Sequence, residues 1–81
     1  MKAEEFRRKF DRIISKYRPK YKAFTVRVYF DGGYSDCTNY KIFKKNVTLI
    51  NEEASNEAFL ATSTVVKLRK VKAIRLGRKV L

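Results

Sequence analysis

The hydrophobic period of this 81-residue chain changes once, between Tyr17 and Ala23, and that change limits what it can fold into. Before it, Phe6, Phe10, Ile13, Ile14 and Tyr17 form one stripe of a 3.6-residue repeat. After it, Phe24, Val26, Val28 and Phe30 alternate with Thr25, Arg27, Tyr29 and Asp31, residue types that suit a half-buried strand. The spacing predicts a helix over residues 3–17. Glu4 and Glu5 at its start and Lys16 at its end match the helix dipole, and Pro19 disfavours helical geometry at Arg18.

The first strand runs into Asp31-Gly32-Gly33, which supplies the positive φ of a tight hairpin turn. Further strands are expected at 39–43 and 47–51, with Lys44-Lys45-Asn46 as the turn between them. Residues 51–61 fit either a short helix capped by Asn51 or a long turn leading into a strand, and the turn is the expectation taken. Over 64–76 the apolar phase slips by one residue, from Val66 and Leu68 through Val71 and Ala73 to Ile74 and Leu76. Such slips mark a bulge or bend in a strand, so a long bent final strand is expected. Gly77 would end the β-rich region of about 22–76 and leave a basic tail at 77–81.

The fold class that follows is α+β, with the helix followed by four or five antiparallel strands in a small, strongly bent sheet. The helix should cover one face or end of that sheet. In element order the chain resembles the SH3- and Sm-like barrels, which implies a sheet curled into a barrel. Length allows one domain.

Charge narrows the function. The 20 Lys and Arg outnumber the 8 Asp and Glu, a net +12 with no histidine. The excess lies at the two ends: +6 over residues 1–22 and +7 over 62–81, with −3 over 51–61 between them. A cationic field of this kind attracts polyanions. The candidate phosphate-binding residues are Arg7, Arg8, Arg12 and Lys16 on the helix, Arg27 on the first strand, and Lys67, Arg69, Lys70, Lys72 and Arg75 on the last. They would act together if the two ends converge. Tyr29 shares a strand face with Arg27 and is a candidate stacking platform for unpaired bases, with Tyr21, Tyr34 and Tyr40 as weaker ones.

Several chemistries are excluded or disfavoured on inventory. Without histidine there is no Ser-His or Cys-His nucleophile and no histidine-ligated metal. Asp31-Gly32-Gly33-Tyr34-Ser35-Asp36 lacks the carboxylates that a calcium loop carries at its third and twelfth positions. Cys37 stands alone, so no intrachain disulfide or thiolate cluster can form, and its neighbour Asp36 would raise its pKa. No catalytic residues, metals or cofactors are expected.

The expectation is a small non-enzymatic module that binds RNA or DNA through phosphates. Its alternative is an interaction protein of the phage- or plasmid-borne inhibitor kind, as anti-CRISPR proteins are, docking on an acidic protein or nucleoprotein. The single cysteine and the charged first twenty residues suit a cytoplasmic setting. A membrane-surface role would need the helix stripe exposed, whereas the strands need it as a cover. Edge pairing of the final strand offers a route to self-association.

Overall fold

The computed structural model of the chain describes residues 1–52 and 62–81. Helix α1 spans Ala3–Tyr17, as the apolar stripe requires, and buries Phe6 and Phe10. It stops where Arg18 donates its backbone N–H to the Ile14 carbonyl, one residue before Pro19. Its first turn has no side-chain cap, because Lys2 occupies the N-cap position and cannot accept a hydrogen bond.

Six strands follow: β1 (Ala23–Phe30), β2 (Gly33–Cys37), β3 (Asn39–Phe43), β4 (Asn46–Asn51), β5 (Thr62–Lys67) and β6 (Val71–Val80). They form two antiparallel three-stranded sheets, ordered β2-β1-β6 and β3-β4-β5. The fold is therefore α+β. Among the described residues the strand count is six rather than four or five, and the sheets do not close into a barrel. Two corners carry the chain from sheet to sheet: Thr38 between β2 and β3, and a 3₁₀ turn at Leu68–Lys70 between β5 and β6. At these corners the ladders give way to single bonds, from Thr38 N–H to the Ile50 carbonyl and from Leu68 N–H to the Lys45 carbonyl.

Strand β2 escapes the apolar alternation because Gly33, Ser35 and Asp36 are poor strand formers. It forms because the two-residue turn Asp31-Gly32, with Gly32 at φ 98°, sends the chain back along β1. Cross-strand pairs then hold it: Arg27 opposite Asp36, Tyr29 opposite Tyr34, and buried Cys37 opposite buried Val26.

The phase slips in the last segment have two origins. The 3₁₀ turn separates Val66 from Val71, and β6 carries an extra residue where Phe30 pairs with Val71 but Tyr29 with Ala73. A second register shift sets Phe24 opposite Lys79 and Val26 opposite Leu76, leaving Gly77 and Arg78 against Thr25. Gly77 therefore lies within β6, and residues 77–80 are paired strand rather than a tail. The reason is a close approach: a Cβ at Gly77 would run into Thr25 Oγ1 and lie 2.9 Å from Asp36 Oδ1. Thr25 is buried and its Oγ1 accepts the Arg78 N–H at 2.8 Å, so it has little freedom to retreat. Gly77→Ala should cost about 1–3 kcal/mol through overpacking, read as a lowered urea midpoint. An unchanged midpoint would show that the bulge yields freely.

One core joins helix and sheets: Phe6, Phe10, Val26, Val28, Cys37, Val47, Leu49, Val66, Leu68 and Val71. Phe6 and Phe10 pack on Tyr40 of β3, with ring centroids 5.1 and 4.6 Å apart, and Tyr17 meets Phe24 of β1 edge-on. The apolar stripe of α1 is thus turned inward across both sheets. No helix among the described residues is long and apolar enough to cross a membrane. Of residues 51–61 only Asn51, which ends β4, and Glu52 are described; the choice between helix and turn falls on 53–61, outside the described residues.

Candidate anion-binding site

Cations gather where the N-terminal end of α1 meets the corner between the sheets. An open pocket of about 820 Å³ lies there, lined by Lys2, Lys44, Lys45, Lys67 and Arg69 over the apolar atoms of Met1, Ala3 and Leu68. Three separate pieces of chain bring these five cations together. Lys2 stands at the N-cap position of α1, Lys44 and Lys45 form the β3–β4 turn, and Lys67 and Arg69 lie where β5 runs into the 3₁₀ turn. Two long-range bonds lock the corner. The Met1 ammonium donates to the Leu68 carbonyl at 2.7 Å, and the Leu68 N–H donates to the Lys45 carbonyl at 2.9 Å.

Among the described residues the charge in the pocket is largely uncompensated. The ion pairs among the described residues are Lys9–Glu5, Arg27–Asp36 and Lys72–Asp31. Glu5 is the one acid among the described residues lining the pocket, and its carboxylate is engaged by Lys9 at 2.9 Å. That hydrogen bond and the Lys9 charge hold its carboxyl below the usual range. The uncapped first turn of α1 adds its own positive end to the field.

Lys44 stands out within this group. It adopts φ 56°, a left-handed conformation that costs most side chains on the order of 1 kcal/mol or more and that glycine or asparagine meets cheaply. A lysine is kept there, with its Nζ 5.4 Å from the centre of the Phe43 ring.

The sequence-derived candidates divide among several surfaces. Lys67 and Arg69 line the pocket. Lys70 is exposed in the 3₁₀ turn, where its carbonyl accepts the Asp31 N–H, and Lys72 reaches Asp31 at 3.3 Å, so both lie beside the β1–β2 turn. Arg7, Arg8, Arg12 and Lys16 are exposed along α1.

Arg27 and Tyr29 lie on the opposite face of β1 from buried Val26 and Val28, and so turn away from the core that α1 covers. Arg75 pairs with Arg27 in register and is exposed on the same face. At the pocket Lys67 and Arg69 meet Lys2 of the N-terminal segment, but none of the expected helix cations lines it. The helix cations and the Arg27–Arg75 pair flank separate sides of the core.

Arg27 is already committed. Its Nε and Nη2 donate to the two Asp36 carboxylate oxygens at 2.7 and 3.1 Å, and its guanidinium lies 4.4 Å from the Tyr34 ring centre. The Asp36 bond is the main reason its pKa is pushed up. Tyr29 is half-buried and leans on Tyr34, at 5.7 Å between centroids. On this face Arg27, Asp36, Tyr29 and Tyr34 form one network, with Arg75 exposed beside it. Tyr40 is no platform, because it packs in the core on Phe6 and Phe10; burial raises its phenol pKa, with Asp11 adding to it. Tyr21 stacks on Tyr17 with the Lys79 ammonium above it.

Cys37 is a buried side chain whose thiol donates to the Val26 carbonyl at 3.4 Å. Burial, with Asp36 beside it, pushes its pKa up to about 12, so at neutral pH it is a packed thiol rather than a nucleophile.

Lys2, Lys44 and Lys45 were not picked out by sequence reasoning. Lys44 and Lys45 carry a local signal, two adjacent cations in a tight turn, that reads first as turn chemistry. Lys2 carries none, because its neighbours at Leu68 and Lys45 are distant in sequence. Comparisons with protein-family models, curated proteins and solved structures find no match to this chain.

Proposed function

We propose that this chain is a small nucleic-acid-binding module, without catalysis of its own, that holds phosphates in the pocket formed by Lys2, Lys44, Lys45, Lys67 and Arg69. The observation that carries this reading is the convergence of five cations from three chain segments, with Glu5, the one acid among the described residues lining the pocket, already bonded to Lys9. Like charges at this density repel one another, and a polyanion relieves that repulsion while releasing its own condensed counterions. The strained Lys44 supports it, since a glycine at that position would make the turn at lower cost.

About five phosphate contacts imply a steep salt dependence. Affinity for an oligonucleotide should fall on the order of a hundred- to five-hundredfold between 50 and 200 mM salt. Fluorescence anisotropy across that range measures it, and a flat response rejects the reading. The competing class, docking on an acidic protein or nucleoprotein, is separated by a pull-down from nuclease-treated lysate. A partner retained there, together with no gel shift on bare RNA or DNA, would favour it.

A further inference from the structure

Phe43 is the exposed aromatic that the pocket leaves unexplained. On β3, Tyr40 and Ile42 turn toward the core, so Asn39, Lys41 and Phe43 point outward, and Phe43 is 72% exposed. So exposed a ring contributes little burial to the core, and the contact it does make is with a pocket cation, the Lys44 ammonium 5.4 Å from its centre. Its place is specific. Phe43 pairs with Asn46, and Asn46 with Lys67, so the three form one cross-strand row on the outer face of the β3-β4-β5 sheet. Asn46 and Lys67 also line the cationic pocket, and Lys44 is the next residue along the chain. The ring therefore stands at the rim of the phosphate-binding group.

We propose that Phe43 is a stacking platform for an unpaired base, so that the site selects single-stranded RNA or DNA over duplex. The inference rests on the nucleic-acid reading above and specifies its substrate class. An aromatic face beside cations is how proteins grip single strands: the ring takes a base, and the neighbouring charges take the phosphates on either side of it. The concavity points the same way. A pocket with the apolar atoms of Met1, Ala3 and Leu68 at its floor and lysines at its rim accepts a nucleotide splayed from its neighbours. The bases of a duplex are stacked on one another and cannot reach the ring without being extruded. Asn46 adds an amide that can donate to and accept from a base edge. The sequence-derived platform, Tyr29, is half-buried and packed against Tyr34 on another face.

The chain contains no tryptophan, so Phe43→Trp places a single tryptophan at the proposed platform, one that can be excited selectively over the five tyrosines. Titration with a ten-nucleotide single strand, as RNA and as DNA, should quench it, and a duplex of the same sequence should not. In anisotropy measurements Phe43→Ala should weaken single-strand binding on the order of tenfold, the loss expected for one stacked base. The salt slope and duplex affinity should stay unchanged, because the phosphate contacts remain, and Phe43→Tyr should restore the parent affinity. If Phe43→Ala binds the single strand as tightly as the parent, stacking is refuted while the phosphate-binding function stands. If the parent binds no oligonucleotide at all, the function itself is refuted and the platform with it. Equal quenching by duplex and single strand would also overturn the selectivity.

Discussion

Phe6→Ala should remove about 3–5 kcal/mol of stability, the usual cost of truncating a fully buried phenylalanine. Phe6 is 0% exposed and ties α1 to the sheets, stacking on Phe10 at 5.9 Å and meeting Tyr40 edge-on. A 15-residue helix is marginal by itself in water, so α1 depends on that burial rather than on its own propensity. A chain of this length has only about 4–12 kcal/mol in total. The substitution should therefore lower the melting temperature by roughly 15–30 °C, measured by circular dichroism. Tyr40→Phe is the control. It removes only a hydroxyl lying 3.5 Å from Asp11 Oδ1 and should change stability by less than about 1 kcal/mol. A Phe6→Ala variant that melts within a few degrees of the parent would show that the helix is not part of the core.

That dependence on a few rings explains why the helix was legible in the sequence. Phe6 and Phe10 alone would share a face of a strand as well, but Ile13 and Tyr17, at odd offsets from Phe6, join them on one side only with a 3.6-residue period, which ties the residue pattern to Ala3–Tyr17. Strands β1, β3 and β4 were legible for the same reason, since Val26, Val28, Val47 and Leu49 alternate with outward residues. Strand β2 was not, because its stability lies in its partners. Asp36 belongs in a strand only once Arg27 stands opposite, and that pairing is decided by the turn geometry. Gly77 misled in the same way. A glycine near a chain end reads as a stop, whereas here it allows β6 to pass over Thr25.

The candidate site was legible as a charge total and much less as a place. Net charge states that a polyanion is attracted, and the basic runs at both ends locate much of the charge. Neither reveals which cations are spent within the protein. Arg27 faces Asp36 and Lys72 faces Asp31, and each acid lies on a strand or turn that only folding brings alongside. Conversely, Lys44 and Lys45 gain their significance from Lys67 and Arg69, which reach them across the β4–β5 ladder and the 3₁₀ turn.

Reversing Lys45 and Lys67 to glutamate should separate a located site from a diffuse field. Both side chains are exposed, and the Lys45 group that supports the fold is its backbone carbonyl, so the variant should stay folded. Losing two phosphate contacts and gaining two repulsive charges should weaken oligonucleotide binding on the order of a hundredfold at low salt, and the salt slope should flatten by about 1.4–1.8. Arg12→Glu with Lys16→Glu is the matched comparison. It lowers the net charge from +12 to the same +8, but Arg12 lies about 10 Å farther along the helix axis than Glu5 at the pocket edge, roughly one Debye length away. A bound strand held in the pocket should lose only a few-fold there, mostly in association rate. If the two double variants lose affinity equally, binding follows total charge and the pocket has no special role. A loss concentrated in the Lys45–Lys67 variant would mean that the positions of those lysines, and not merely their number, hold the nucleic acid.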